Sequence, residues 1–138
     1  TAAQEWIDKK IKRSTRRSTK KPRIASRIAA ALEGEPDDFR DVEIELEYTT
    51  TFGKRILQTC RKIGWGATQS YGQLAKAAGF PGAARAVGSV MAKNRTPIVV
   101  PCHRVIASGG KLGGYSASLG LTTKRRLLQL EAESAYST

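Results

Sequence analysis

The sequence predicts a mainly α-helical, winged-helix-like domain. It carries a helix-turn-helix and a short β-hairpin or wing, and a helical N-terminal piece precedes it. Three observations carry this reading. Apolar residues recur at helical spacing in several separate stretches. Glycine and proline punctuate those stretches at short intervals. A glycine-rich run, "SGGKLGGYS", separates an apolar non-helical stretch from the last helical one. At 138 residues and 40% hydrophobic content, the chain suits one compact domain plus an appendage.

Residues 9–27 hold ten basic residues and no acidic one, which makes either a solvated tail or an arm that touches nucleic acid. A short helix precedes it, with Trp6, Ile7 and Ile11 on one face. Ile24, Ile28 and Leu32 then form the stripe of a helix stopped at Gly34. "EGEPDDFRD" is a turn-rich acidic connection, and "VEIELE" alternates like a short strand or an extended linker. From Thr51 a helix places Phe52, Ile56, Leu57, Cys60 and Ile63 on one face, so Cys60 reads as a packing thiol. "GWGAT" breaks it. Ser70 caps "YGQLAKAAG", Gly79 ends that helix, "FPG" turns, and "AARAVGSVMAKN" is helical again.

Two short helices around a glycine turn suggest a helix-turn-helix. On the second, Ala83, Ala84, Ala86, Gly88 and Ser89 are small, and Arg85 is the one long cation among them. Small residues allow close backbone approach, to a neighbouring helix or to a partner. Arg85 is either an ordinary solvated arginine or one that reaches into a duplex. "TPIVVPCHRVIA" is bracketed by prolines and reads as a buried extended segment. "TTKRRLLQLEAE" is a last helix, with Leu127, Leu128 and Leu130 on its apolar side.

The formal charge of +12, from 24 basic and 12 acidic residues, predicts attraction to polyanions, nucleic acid first. No apolar run approaches the roughly 20 residues of a membrane span, so no membrane partner is expected. Two cysteines and one histidine make neither a disulfide framework nor a four-ligand zinc site, so no metal is expected. We expect an intracellular monomer, in the cytoplasm or nucleoid of a prokaryote or the nucleus of a eukaryote.

Cys102 stands beside His103, the only histidine. A thiol becomes a nucleophile when a base or positive charge favours its ionised form, and His103 and Arg104 supply both in sequence. In an extended segment, however, adjacent side chains point to opposite faces. Cys102 and His103 then need a bridging water or a local bend. A histidine base also needs a group to hold its tautomer. A carboxylate is the natural choice, and Glu131 on the last helix is placed in sequence to fold back. A buried structural cysteine is the competing reading.

"PCHRVIASGGKLGGYSASL" resembles the active-site signature of the O6-alkylguanine-DNA alkyltransferases, and the resemblance extends upstream through "SYGQLAKAAGFPGAARAVGSVMAKNRTPIVV" to cover residues 49–133. It implies minor-groove binding of double-stranded DNA containing O6-alkylguanine and rotation of the damaged base out of the stack. The alkyl group then passes irreversibly to a cysteine, with no cofactor. Cys102 matches the alkyl acceptor, His103 the base that acts through water, and Glu131 the carboxylate that orients it. Asn94 matches the asparagine that braces the turn, and Tyr71 the tyrosine that donates to the leaving base. The carbonyls of Cys102 and Val105 match the groups that read the guanine amino group, and Tyr115 and Ser116 match the loop over the pocket. Arg85 matches the arginine that takes the flipped base's place, with Ala84, Ala86, Gly88 and Ser89 lining the DNA-facing helix.

Most members of that family carry a complete N-terminal domain. Here the resemblance assigns residues 1–48 to a basic arm plus the helical remnant of such a domain, and residues 49–138 to the catalytic and DNA-binding domain. A non-catalytic helix-turn-helix protein that recognises alkylated bases is the alternative, and Cys102 argues against it. A cysteine hydrolase is a third reading, for which the basic surface gives no reason.

Overall fold

The computed structural model describes residues 24–107 and 120–136. The helix expected around Trp6, most of the basic arm, the glycine-rich wing, Tyr115 and Ser116 lie outside the described residues.

Helix α1, Ile24–Leu32, buries Ile28 and Ala31. Gly34 adopts φ +105° just beyond it, and the Gly34 and Glu35 N–H groups close the end onto Ala31 and Ala30. The acidic connection is tied back to this helix. Arg27 grips Asp37 at 2.7 and 2.8 Å and Asp41 at 2.9 Å, and its guanidinium lies over the buried Phe39 ring. Arg61 donates to the carbonyls of Phe39 and Val42. "VEIELE" is therefore the extended-linker alternative of the two expected: Val42 is buried, and the segment belongs to neither strand.

Helix α2, Thr51–Cys60, starts on a Thr50 side-chain cap and buries Ile56, Leu57 and Cys60. A two-residue strand β1, Gln69–Ser70, leads into helix α3, Tyr71–Ala77. Ser70 and Gln73 form a reciprocal capping box there. Gly79 and Gly82, both at positive φ, shape the turn into helix α4, Ala84–Ala92, which buries Val87 and Met91. Helices α3 and α4 pack on each other and on α2, as a helix-turn-helix requires.

A 3₁₀ turn, Cys102–Arg104, runs into strand β2, Val105–Ile106. The two strands pair in parallel, Gln69 with Val105 and Ser70 with Ile106. This short ladder joins the entry to α3 to the Cys102 turn. Helix α5, Gly120–Tyr136, packs against that turn. Its buried face is Lys124, Leu127 and Glu131, whereas Leu128 and Leu130 are only half-buried. One apolar core, including Ile28, Phe39, Leu57, Leu74, Val87 and Val100, runs through all the helical layers. The fold is thus mainly helical with one small two-stranded sheet, in keeping with a winged helix-turn-helix. No helix among the described residues is long and apolar enough to cross a membrane.

Candidate active site

The segment before Cys102 is buried and non-helical, as expected, but it is not extended. Asn94, 1% exposed, folds it. Its Nδ2 donates to the Val100 carbonyl at 3.1 Å, and its Oδ1 accepts from the Thr96 N–H at 3.0 Å and hydroxyl at 3.3 Å. Ile98 is forced to φ +77°, a conformation that a β-branched side chain rarely adopts. The Arg104 N–H then bonds to the Pro101 carbonyl at 2.9 Å, and the Val105 N–H bonds to that of Cys102. Strand alternation therefore does not govern Cys102 and His103. They sit on a tight turn, with successive side chains about a third of a turn apart. The chain bends locally at this pair.

Cys102 and His103 are both fully or almost fully buried. The His103 Nε2 lies 2.6 Å from Glu131 Oε2. Glu131 also receives two bonds from Arg104, Nε to Oε1 at 2.8 Å and the terminal nitrogen to Oε2 at 2.9 Å. Burial pushes the Glu131 carboxyl up, but the bonds from His103 and Arg104 outweigh that and hold it down at about 2. Burial lowers His103, Glu131 opposes that, and the charges of Arg104 and Lys124 lower it further. The imidazole is thus neutral. An ionised carboxylate only accepts, so Nε2 carries the proton and Nδ1 is the acceptor. That Nδ1 is buried and has no hydrogen-bond partner among the described residues.

Arg104 is committed to Glu131 and to the Ile63 carbonyl at 2.6 Å, and its guanidinium lies over Trp65. The sequence shows Trp65 only as part of a breaking loop and does not single out Lys124. Lys124 is 0% exposed, donates from Nζ to the Val105 carbonyl at 2.6 Å, and lies 5.7 Å from the centre of the Tyr71 ring. The helical spacing of Lys124, Leu127 and Glu131, which puts all three on one face, is the signal that points to it.

Tyr71, half-buried, opens α3 where the β1–β2 ladder brings it to the turn. Burial, with the neighbouring Cys102 adding to it, raises its phenol so that it stays protonated. Cys60 is buried in the core as a packing thiol, its ionisation pushed well up by burial. The DNA-facing candidates occupy a different surface. On α4, Arg85, Ala86 and Ser89 are exposed on the side away from Val87 and Met91, and Ala84 and Gly88 are half-buried along the edge of the buried face. A Cβ on Gly88 would meet nothing within 4 Å, so the packing of this fold does not demand a glycine there. No group of three or more metal-ligating side chains occurs among the described residues.

Known proteins share this fold. The profile of the 6-O-methylguanine DNA methyltransferase DNA-binding domain matches residues 51–133. A methylated-DNA–protein-cysteine methyltransferase of Mycobacterium tuberculosis is 45% identical over 108 residues, 78% of this chain and 63% of that protein. The chain thus spans less than two thirds of that relative's length. The Methanosarcina acetivorans protein of the same name is 46% identical over 112 residues, 79% of this chain and 68% of its own length. The crystal structure of Mycobacterium tuberculosis OGT in complex with DNA superposes with a TM-score of 0.72 at 43% identity, covering 79% of this chain and 64% of the other. From the matched segment and the shared fold, the chain belongs to the 6-O-methylguanine DNA methyltransferase family.

Proposed function

We propose that the protein repairs O6-alkylguanine in double-stranded DNA by transferring the alkyl group, once and irreversibly, to Cys102. The carrying observation is the buried His103–Glu131 pair, which commits Nε2 and leaves the buried Nδ1 of His103, the residue next to the buried Cys102 in sequence, without a hydrogen-bond partner among the described residues. In this reading a water relays the Cys102 proton to Nδ1, and Glu131 stabilises the resulting imidazolium. The thiolate attacks the alkyl carbon, an S–C bond forms, and the C–O6 bond breaks with its electron pair going to guanine. Tyr71 donates its phenolic proton to the leaving base, which avoids a free guanine anion. The Cys102 and Val105 carbonyls accept from the guanine amino group. Tyr115 and Ser116 cover the base. The thioether has no route back, so one protein repairs one lesion.

Helix α4 enters the minor groove, which is only about 6 Å wide. Its exposed face of Ala86 and Ser89, with Ala84 and Gly88 beside them, suits that space. Arg85 is exposed on the same helix, free to stack where the flipped base has left. The positive charge supports backbone binding that is salt-dependent and largely blind to sequence.

Intact-mass measurement after mixing with O6-methylguanine duplex tests this. One methyl group, about 14 Da, is expected on the peptide containing Cys102, and none on Cys102→Ala. A folded protein that binds the duplex and gains no mass is instead a lesion-binding module.

A further inference from the structure

We propose that Lys124 is a positioning residue of the transfer site: its ammonium fixes the Val105 carbonyl and stabilises the ionised form of the Cys102 thiol. The inference rests on the function proposed above. An ammonium is among the groups least often buried, because burial strips its hydration and must be compensated. Lys124 is nevertheless 0% exposed. Its Nζ is held at 2.6 Å on the Val105 carbonyl, and the N–H of that residue bonds back to the Cys102 carbonyl. The cation is therefore anchored one hydrogen-bonded turn from the thiol.

The groups around it come from three elements. Cys102 and His103 interact with it electrostatically from the turn, the Tyr71 ring lies near it from α3, and Glu131 shares its face of α5. Glu131 is committed to His103 and Arg104. Burial draws the Lys124 ammonium down to about 8, and an ionised Cys102 acts in the opposite direction. The two sites thus favour each other's charged forms. The same contact orients the Val105 carbonyl, a candidate acceptor for the substrate amino group.

A purely structural lysine, pinning α5 to β2, would leave the thiol's titration unchanged. The thiolate ultraviolet absorbance of Cys102 is therefore to be followed against pH in a Cys60→Ala background, with Lys124→Met and Lys124→Arg beside the parent. The midpoint is expected to rise by about one pH unit in Lys124→Met, roughly tenfold less thiolate at pH 7, and to return toward the parent in Lys124→Arg. An unchanged midpoint in folded Lys124→Met overturns the proposal. This measurement needs no DNA, so a failure of methyl transfer in the parent is a separate result. Should Lys124→Met not fold, reciprocity supplies the second measurement. The Lys124 ammonium, followed by nuclear magnetic resonance, is expected to titrate at lower pH in Cys102→Ala than in the intact protein. Equal values overturn the proposal.

Discussion

Replacing Glu131 by glutamine removes one charge and almost no volume, yet the structure requires two separate losses. The first is stability. Glu131 is 3% exposed and accepts from both Arg104 and His103. Its folded value of about 2 lies below the ordinary 4.5. That difference, at about 1.4 kcal/mol per pH unit, corresponds to about 3 kcal/mol of stability. The group's folded value is depressed, so the contribution is fully present above pH 4.5 and is lost as pH falls from there through about 2. The figure agrees with the 3–5 kcal/mol typical of breaking a buried ion pair, because glutamine leaves Arg104 charged and unpaired. A glutamine amide also turns a donor toward the donors of Arg104 and His103.

The second loss is chemical. Without a carboxylate, nothing fixes the proton on Nε2, and the tautomer that exposes Nδ1 as an acceptor is no longer favoured. Single-turnover transfer at neutral pH is expected to fall by about 10²–10⁴, the range for losing a positioned general base. Urea unfolding of both proteins between pH 7 and pH 2 reads the stability, and quenched transfer of labelled methyl reads the rate. Glu131→Gln is expected to be about 3 kcal/mol weaker at pH 7, with a gap that narrows toward pH 2. An equal stability at pH 7, or a gap that stays constant on acidification, would refute the electrostatic account. A normal rate in a destabilised variant would refute the catalytic one.

Substitutions at two further positions separate the turn from the DNA surface. Asn94→Ala frees the Val100 carbonyl and the Thr96 donors in the core, and is expected to cost about 2–4 kcal/mol. Because Asn94 shapes the turn and not α4, transfer should fall far more than duplex affinity, as measured by quenched transfer and by fluorescence anisotropy. At Gly88, alanine meets open space and improves helix propensity, so it should stabilise the protein by up to about 1 kcal/mol in a thermal melt. Gly88→Leu should fold equally well but lose duplex affinity, and equal affinity would remove α4 from the groove.

What could be read from the sequence divides along a physical line. Helices α2, α3 and α4 follow from apolar spacing and local end signals, because Thr50, Ser70, Gly79 and Gly82 act within a few residues of where they stand. The pairing of His103 with Glu131 could be anticipated chemically, since a neutral histidine base needs a carboxylate. The turn at Cys102 was not legible. It depends on Asn94 reaching six residues along to the Val100 carbonyl, and on a β-branched residue, Ile98, held where propensity would not put it. The fate of the strand-like "VEIELE" was likewise set at a distance, by Arg61 taking two of the connection's carbonyls.

Arg104 and Lys124 show the remaining difficulty. Stripe-reading collects apolar residues and discards charges as solvent-facing, so on α5 it collected Leu127, Leu128 and Leu130 and passed over Lys124. Yet Lys124 and Glu131 flank Leu127 at helical spacing, and it is this charged face that the helix buries. An isolated ammonium or carboxylate does not survive there, so each must find a partner on another element: Lys124 on the Val105 carbonyl, Glu131 on His103 and Arg104. Those partners are His103 and Arg104 in the turn that carries Cys102 and Val105 directly after it. The contacts that make α5 affordable to bury are therefore the same ones that set the protonation of the site, and altering either charge should disturb both.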